Sequence, residues 1–503
     1  QYMYDSNSGN IWNSFINPGG PAIDLAYSDS EKKSTYILYS SINNHYWTGL
    51  LSTFNHQINK KLNLASGIDV RTYTGEHYRE IYDLLGGDYY AGSAGSSANN
   101  SIGENSSNLI LREGDKIYYH NDGLVRWLGG FGQLEYNHGN LSAFLNITAS
   151  QTAYKRIDYF KKQDLVLEDT IMSQAIGIND TIIYNEVEYT IDSPEARFTE
   201  TNWEKFLGYT IKAGANWNID EHNNIFINTG LLSKAPKFSN VFNYDNEVYY
   251  NIENEIVKAI ELGYGYKSKN FSLNFNAYNT IWENKPQSGR ATLDGGESVD
   301  YNINGIDALH QGLEIDFAWK ISNSFKYEFL SSIGNWRWNS GDTVNFYLNQ
   351  QLVQSDYFDA EGVYVGDSPQ TQIGSSISYN FKVNRNNSGY IKLKGIYFDR
   401  FFSDYDPFTL NEDKEVWMIY GASPDLFPGY TLFSLHMGNT IYFENSSLNF
   451  KLNILNLFNT TYISDAQNNS SYVEDAPMNS GPASASVFFG MGRKLITSIE
   501  YKF

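Results

Sequence analysis

The residues with the most chemical capacity in this chain are ionisable groups spaced by even numbers. Asp69, Arg71, His77 and Arg79 keep one parity over eleven residues, Glu314 and Asp316 form a second set, Glu328 stands alone, and Lys392, Lys394 and Arg400 form a third set. An even spacing puts side chains on one face of an extended strand, so each set reads as a charged strip on one side of a sheet. Such strips pair with one another, bind water, or hydrogen-bond a segment packed against them. Catalytic spacing is absent: no HExxH, phosphate loop, GxSxG elbow or paired-cysteine pattern occurs. The absence of cysteine also excludes thiolate metal sites and disulfides within the chain. Its eight histidines are scattered, and His45, His56, His77 and His310 read as hydrogen-bonded wall or rim residues rather than metal ligands. The expectation is no enzyme, no metal and no cofactor.

Aromatic faces are the other resource. Trp47, Trp127, Trp282, Trp319, Trp336, Trp338 and Trp417 have the surface to stack on a sugar or a flat chelate. Most are assigned to interfacial girdles, and Trp417, which lies in a loop, is the exception. Trp417, Trp336, Trp338 and Arg400 make the candidate ligand-binding set. Asp69, Arg71, His77, Arg79, Glu314, Asp316, Glu328, Lys392 and Lys394 make the candidate set that faces an enclosed plug.

The elements that must position these groups are strands. In the last one, Leu495, Thr497, Ile499, Tyr501 and Phe503 alternate with Ile496, Ser498, Glu500 and Lys502, and the chain ends on the phenylalanine. A strand with one face to lipid and one to water requires this pattern. Similar runs predict about fifteen strands, for instance Phe271 to Trp282, Ala308 to Ile321 and Leu448 to Tyr462. In the first of these, Phe271, Leu273, Phe275, Ala277 and Ile281 face lipid. Charges on that face at mid-membrane would cost about 2–4 kcal/mol each, which places the charged strips on the inner face. Tight turns at Asn59–Lys60, His138–Asn140, Asp220–His222, Ser268–Asn270, Ser322–Ser324, Asn384–Asn387 and Asn445–Ser447 alternate with long loops. Short periplasmic turns and long external loops are the asymmetry of outer-membrane barrels.

Composition permits this reading. Aromatics are 16% of the 503 residues, including 40 tyrosines and 10 tryptophans, as girdles of amphipathic rings require. A glycan-binding soluble β-protein is the bland alternative. No run approaches the ~18 apolar residues of a spanning helix. A mean hydropathy of −0.45 suits a wall that shows lipid only alternate residues. The net charge of −21 argues against nucleic acid as a partner. The fold expected is therefore all-β, a transmembrane antiparallel β-barrel. Residues 1–33 read as an irregular segment or extracellular loop, and 34–503 as barrel strands with long extracellular loops. A barrel whose termini both face the periplasm needs an even number of strands. Fifteen then correspond to strands 8–22 of an expected 22, and the chain, which opens on Gln1 with no signal segment, reads as a mature or truncated portion.

Several segments carry a family likeness. Asn456-Leu457-Phe458-Asn459 with Tyr462, followed by Val487-Phe488-Phe489-Gly490-Met491-Gly492-Arg493, resembles the "NLFN..Y" and "VFFG.GR" patterns of the TonB-dependent outer-membrane receptors, those of the Bacteroidetes in particular. Glu261 to Tyr266 with Phe271 to Tyr278, His77 to Glu80 and Asp83 to Tyr90 are similar to stretches of the same group. The resemblance covers most of the chain from about Ser34. It implies import of a scarce substrate across the outer membrane by energised remodelling of a plug domain. The partner implied is the TonB–ExbB–ExbD complex, acting through a plug and TonB box that lie outside this sequence. Outer-membrane lipid and lipopolysaccharide are implied surroundings, with a surface lipoprotein or other envelope proteins as candidate partners. Two rival readings are a structural barrel subunit of a larger outer-membrane assembly and a passive porin-like channel. Acidic loops, notably 161–201 and 403–428, favour neutral or cationic cargo over anionic chelates, because clustered carboxylates repel anions at a funnel mouth.

Overall fold

The computed structural model describes residues 20–91, 110–177, 180–197, 200–243, 248–249, 252–292, 298–348, 351–402, 429–467 and 486–503. Fifteen strands form one antiparallel sheet. In chain order they are β1 (Leu38–Asn59), β2 (Leu62–Asp83), β3 (Lys116–His138), β4 (Leu141–Asp158), β5 (Glu204–Asn218), β6 (Asn223–Lys234), β7 (Glu255–Lys267) and β8 (Phe271–Thr292). They continue as β9 (Ser298–Lys320), β10 (Phe325–Trp338), β11 (Thr371–Asn384), β12 (Asn387–Asp399), β13 (Tyr430–Tyr442), β14 (Ser447–Leu455) and β15 (Lys494–Lys502). The seven tight turns fall where the sequence places them, between β1 and β2, β3 and β4, and onward in pairs.

Strand β5 shows why the sheet forms. Trp217, Ala215, Ala213, Ile211, Tyr209 and Leu207 occupy one face, while Asn216, Gly214, Lys212, Thr210 and Gly208 occupy the other. Ten residue steps of ~3.3 Å, tilted by ~45°, rise about 24 Å, which is the height of an outer-membrane apolar band. At the turn end this outward face carries an aromatic girdle. Phe271 sits opposite Trp319, Trp319 opposite Tyr327, and the Phe325 and Tyr379 rings lie 4.6 Å apart, tilted by 30°.

Each successive pair from β1 to β15 shares an antiparallel register. The sheet order carries β15 round to β1, while no residue register joins those two strands among the described residues. Alternation over an odd number of strands leaves β1 and β15 pointing the same way. Closing the sheet between them would need a parallel pair.

The expected boundaries shift above the membrane. Glu283–Asp307, expected as a loop, belongs largely to β8 and β9, and Gly341–Leu348 with Gln351–Asp359 forms a hairpin whose Phe346 pairs with Tyr301 of β9. These extensions enclose a small core of Ile303, Ile306, Val344, Phe346 and Val363. In the expected loop 161–201, Gln163–Val166 pairs with Ile171–Ile176 and with Ala196–Arg197.

Strand β14 ends at Leu455 rather than Tyr462, because Asn456 (φ 48°) and Asn459 (φ 55°) turn the chain through the left-handed region, which asparagine tolerates. The Asn456 amide donates to the carbonyls of Thr460 (2.8 Å) and Met491 (3.2 Å), and its Oδ1 accepts from the Thr460 amide (2.8 Å). Asn459 Oδ1 accepts from the Arg493 amide at 2.8 Å. Tyr462 packs on Gly490, where an added Cβ would lie 1.9 Å from the ring. The two terminal motifs are thus one latch that fixes β15 against β14.

Candidate functional site

Residues opposite one another in an antiparallel ladder share a face, so the registers sort every side chain. All nine charged residues expected to face a plug lie on the sheet face opposite the apolar belt. On β2 the strip reads Asp69, Arg71, Tyr73, Gly75, His77 and Arg79. Arg71 clasps Asp69 through Nε (2.8 Å) and Nη2 (2.5 Å), a two-point arrangement that fixes the guanidinium plane. His77 Nδ1 lies 2.6 Å from Asn43 Oδ1, and His45 Nδ1 lies 2.6 Å from the Tyr73 hydroxyl. The Arg79 guanidinium lies against Tyr39, Tyr118 and Tyr119, with centroids at 4.7, 5.6 and 5.3 Å.

The second strip gathers around Glu328 on β10. Its carboxylate accepts from Lys326 (2.5 Å), Lys392 (2.6 Å) and Ser376 (3.0 Å), uniting three strands. Asp316 accepts from Asn274 at 3.0 Å. Glu314 and Lys394 make no side-chain hydrogen bond among the described residues. Lower in the lumen the wall is amide-rich: Asn146 donates to Gln133 (3.1 Å), Asn224 to Asn216 (2.7 Å) and Asn228 to Glu261 (3.2 Å). Gln133, Glu135, Phe144, Asn216, Phe226 and Asn228 line a recess of about 640 Å³ there.

The candidate ligand residues separate. Trp336 faces the lumen, donates from Nε1 to the Tyr278 hydroxyl (2.9 Å) and lies 5.8 Å from the His310 ring. Trp338 is 7% exposed within the small core above the sheet, so its indole face is not presented to cargo. Arg400 (φ 50°) spends its guanidinium on protein, donating to Thr371 Oγ1 (2.8 Å) and to the carbonyls of Gly334 (2.7 Å) and Gln370 (3.2 Å). It ties β10 to the end of β12 rather than reaching into the lumen. Trp417 and loop 403–428 lie outside the described residues.

The girdle assignment holds for Trp319 and fails for Trp47, Trp127, Trp282 and Trp336. Trp47 is opposite Tyr73, Trp127 opposite Arg71, and Trp282 two residues along from Thr280, all on the inward face. Trp47 and Tyr73 rings lie 5.1 Å apart, and Arg71 is 6.0 Å from the Trp127 ring. Trp47, Tyr73 and Trp127 therefore extend the Asp69–Arg71 pair into an aromatic and charged patch that pattern reading missed. At the outer rim, burial and the 2.8 Å hydrogen bond to Asp122 push the Tyr159 hydroxyl up to about 12.

No family model and no curated protein matches the chain. Solved structures do. The copper transporter OprC aligns with TM-score 0.56 at 11% identity, over 92% of this chain and 57% of that one. The ferric citrate transporter FecA, unliganded, aligns with TM-score 0.54 at 11% identity, over 92% and 54%. The ferric yersiniabactin uptake receptor FyuA from Yersinia pestis aligns with TM-score 0.52 at 10% identity, over 92% and 56%. The chain spans a little over half the length of each. Identity at this level speaks for fold. In its fold the chain is an antiparallel β-barrel wall like those of these transporters and receptors.

Proposed function

We propose that this chain forms most of the barrel wall of an energised outer-membrane transporter, working with a plug domain and the TonB–ExbB–ExbD complex. The observation that carries the reading is the inward face. It holds ordered ion pairs at Asp69–Arg71 and Glu328–Lys392 beside open aromatic and amide groups. A simple water-filled pore gains nothing from tyrosines and tryptophans facing its lumen. A plug that packs on them and slides or unfolds during transport does.

The cargo is the less constrained part. The net charge of −21 and the carboxylates of loop 161–201 favour neutral or cationic ligands. In a host strain carrying the full gene, uptake of cyanocobalamin, a lysine-rich heptapeptide and ferric citrate would be compared with and without TonB. Import of one of the first two that vanishes without TonB supports the reading. Import independent of TonB refutes the mechanism, and calcium-independent preference for ferric citrate refutes the charge argument. No import together with stable co-purification of other envelope proteins favours a scaffold.

A further inference from the structure

Strand β3 carries an irregularity at the outer mouth that converges on one arginine. In the β2–β3 ladder Tyr78 is opposite His120, but the next residue, Arg79, is opposite Ile117, so Tyr118 and Tyr119 are extra residues on β3. A bulge of this kind re-aims side chains that strict alternation would send to opposite faces. Tyr118 takes φ 64°, a left-handed conformation that an aromatic residue rarely adopts, and it packs there against the buried group of Ile81, Leu84 and Ile117. Tyr118 and Tyr119 thereby both meet the Arg79 guanidinium, and Tyr39 of β1 supplies a third ring. Backbone strain held by a rigid surround is a mark of ligand clamps.

Arg79 differs from nearby arginines in what its donors do. Arg71 is closed by Asp69, and Arg156 donates to the Asn243 carbonyl at 2.5 Å. Arg79 has ring faces around it and no hydrogen-bond acceptor among the described residues, and its Nε is buried without a partner. Aromatic faces hold a guanidinium without using its N–H groups, which leaves the Nη fork open. Its height suits a group met from outside. Arg79 is eighteen residues beyond Lys61 at the β1–β2 turn, about 42 Å up a strand tilted by ~45°, well above an apolar band of ~25 Å. Tyr39 is 47% exposed, so the cluster is open on that side.

We propose that Arg79 and its three tyrosines form a seat for a single carboxylate of the cargo, the C-terminal carboxylate of a short peptide. Nη1 and Nη2 grip the two oxygens, and the rings keep water from the pair, where a charge-assisted hydrogen bond is strengthened. One fork takes one carboxylate, while a chain of net charge −21 repels ligands that carry several, so the occupant is otherwise neutral or cationic. A short peptide with basic side chains meets both conditions. The inference deepens the cargo part of the proposed function and rests on it.

The full-length protein in detergent would be titrated calorimetrically with a lysine-rich heptapeptide carrying a free C-terminus, and with its C-terminal amide. The field of an acidic protein alone favours the amide, which is one charge more positive, so the seat and the field predict opposite orders. The acid should bind about thirtyfold more tightly, the factor equivalent to ~2 kcal/mol for one charge-assisted pair. Arg79→Gln should bring the acid down to the affinity of the amide and leave the amide unchanged. Arg79→Lys, which keeps the charge and loses the fork, should retain part of the difference. Lys258→Gln, which removes an outward cation paired with Glu283 at 2.5 Å, should retain all of it. Equal binding of acid and amide to the wild type, or discrimination that survives Arg79→Gln, overturns the seat. Displacement of the peptide by equimolar sodium acetate overturns the peptide as the source of the carboxylate. Binding in detergent needs no TonB, so discrimination that persists where uptake proves independent of TonB refutes the transport mechanism alone.

Discussion

Replacing Ile211 with lysine tests which face of the sheet meets lipid. Ile211 sits in the middle of the β5 belt, four residues from Leu207 and six from Trp217, and is 42% exposed in the absence of a bilayer. If that face were bathed in water, lysine there would change stability by no more than ~0.5 kcal/mol, as surface substitutions do. If it faces the bilayer midplane, the charge costs ~2–4 kcal/mol. About 3 kcal/mol corresponds to a change of roughly 150-fold in the folding equilibrium. The matched control is Thr210→Lys, one residue away on the inward face and beside Lys212. Urea titration of the full-length protein in lipid vesicles, followed by tryptophan fluorescence, gives both free energies. The expected result is a loss of about 3 kcal/mol for Ile211→Lys and under about 0.5 kcal/mol for Thr210→Lys. Equal effects at the two positions would refute the face assignment, and with it the membrane reading.

Further outcomes follow from other contacts. Gly263 lies opposite Phe226, whose ring an added Cβ would meet at 2.1 Å, so Gly263→Ala should cost about 1–3 kcal/mol and be relieved in a Phe226→Leu background, read as a double-mutant cycle. Glu328 and Lys392 are each about a third exposed, so solvent screening limits their coupling to about 0.5–1 kcal/mol, and a cycle with Glu328→Gln and Lys392→Met that exceeds 2 kcal/mol would contradict the wet lumen. In the β5–β6 turn, amide donation from His222 and then from Asn223 holds the Asp220 carboxyl below its usual value of 3.8. A depressed folded pKa adds stability above 3.8 that is lost as pH falls through the lower value. The stability gap between wild type and Asp220→Ala should therefore be full at neutral pH and close on acidification, and a gap that widens would show the sign to be wrong.

The strands most legible in the sequence are those in contact with lipid. Phe271 to Trp282 alternates because its two faces meet different solvents, and the structure keeps that alternation residue for residue. Above the membrane both faces meet water or the small core around Phe346, period two disappears, and the upper parts of β8 and β9 read as a loop. Strand β1 hides its parity for another reason. Tyr46 and Trp47, then Leu50 and Leu51, put bulky apolar groups on both faces, and only the pairing of Trp47 with Tyr73 shows which one looks inward. Arg400 was legible as an inward charge but not as a clamp, since its acceptors at Gly334 and Gln370 are backbone groups that carry no sequence signature.

The asparagine latch has a bearing on how such a chain changes over time. The 2.8 Å bond from the Arg493 amide to Asn459, and the grip of Asn456 on Met491, set the register of β15 from the residues just before and just after the last external loop. The latch contacts are made by residues outside 468–485. Lengthening a loop costs entropy only logarithmically, ~0.6 kcal/mol per doubling. Segments of very different length and composition can therefore be exchanged above the latch without moving the C-terminal strand, leaving the outer surface free to diverge while the wall beneath keeps its geometry.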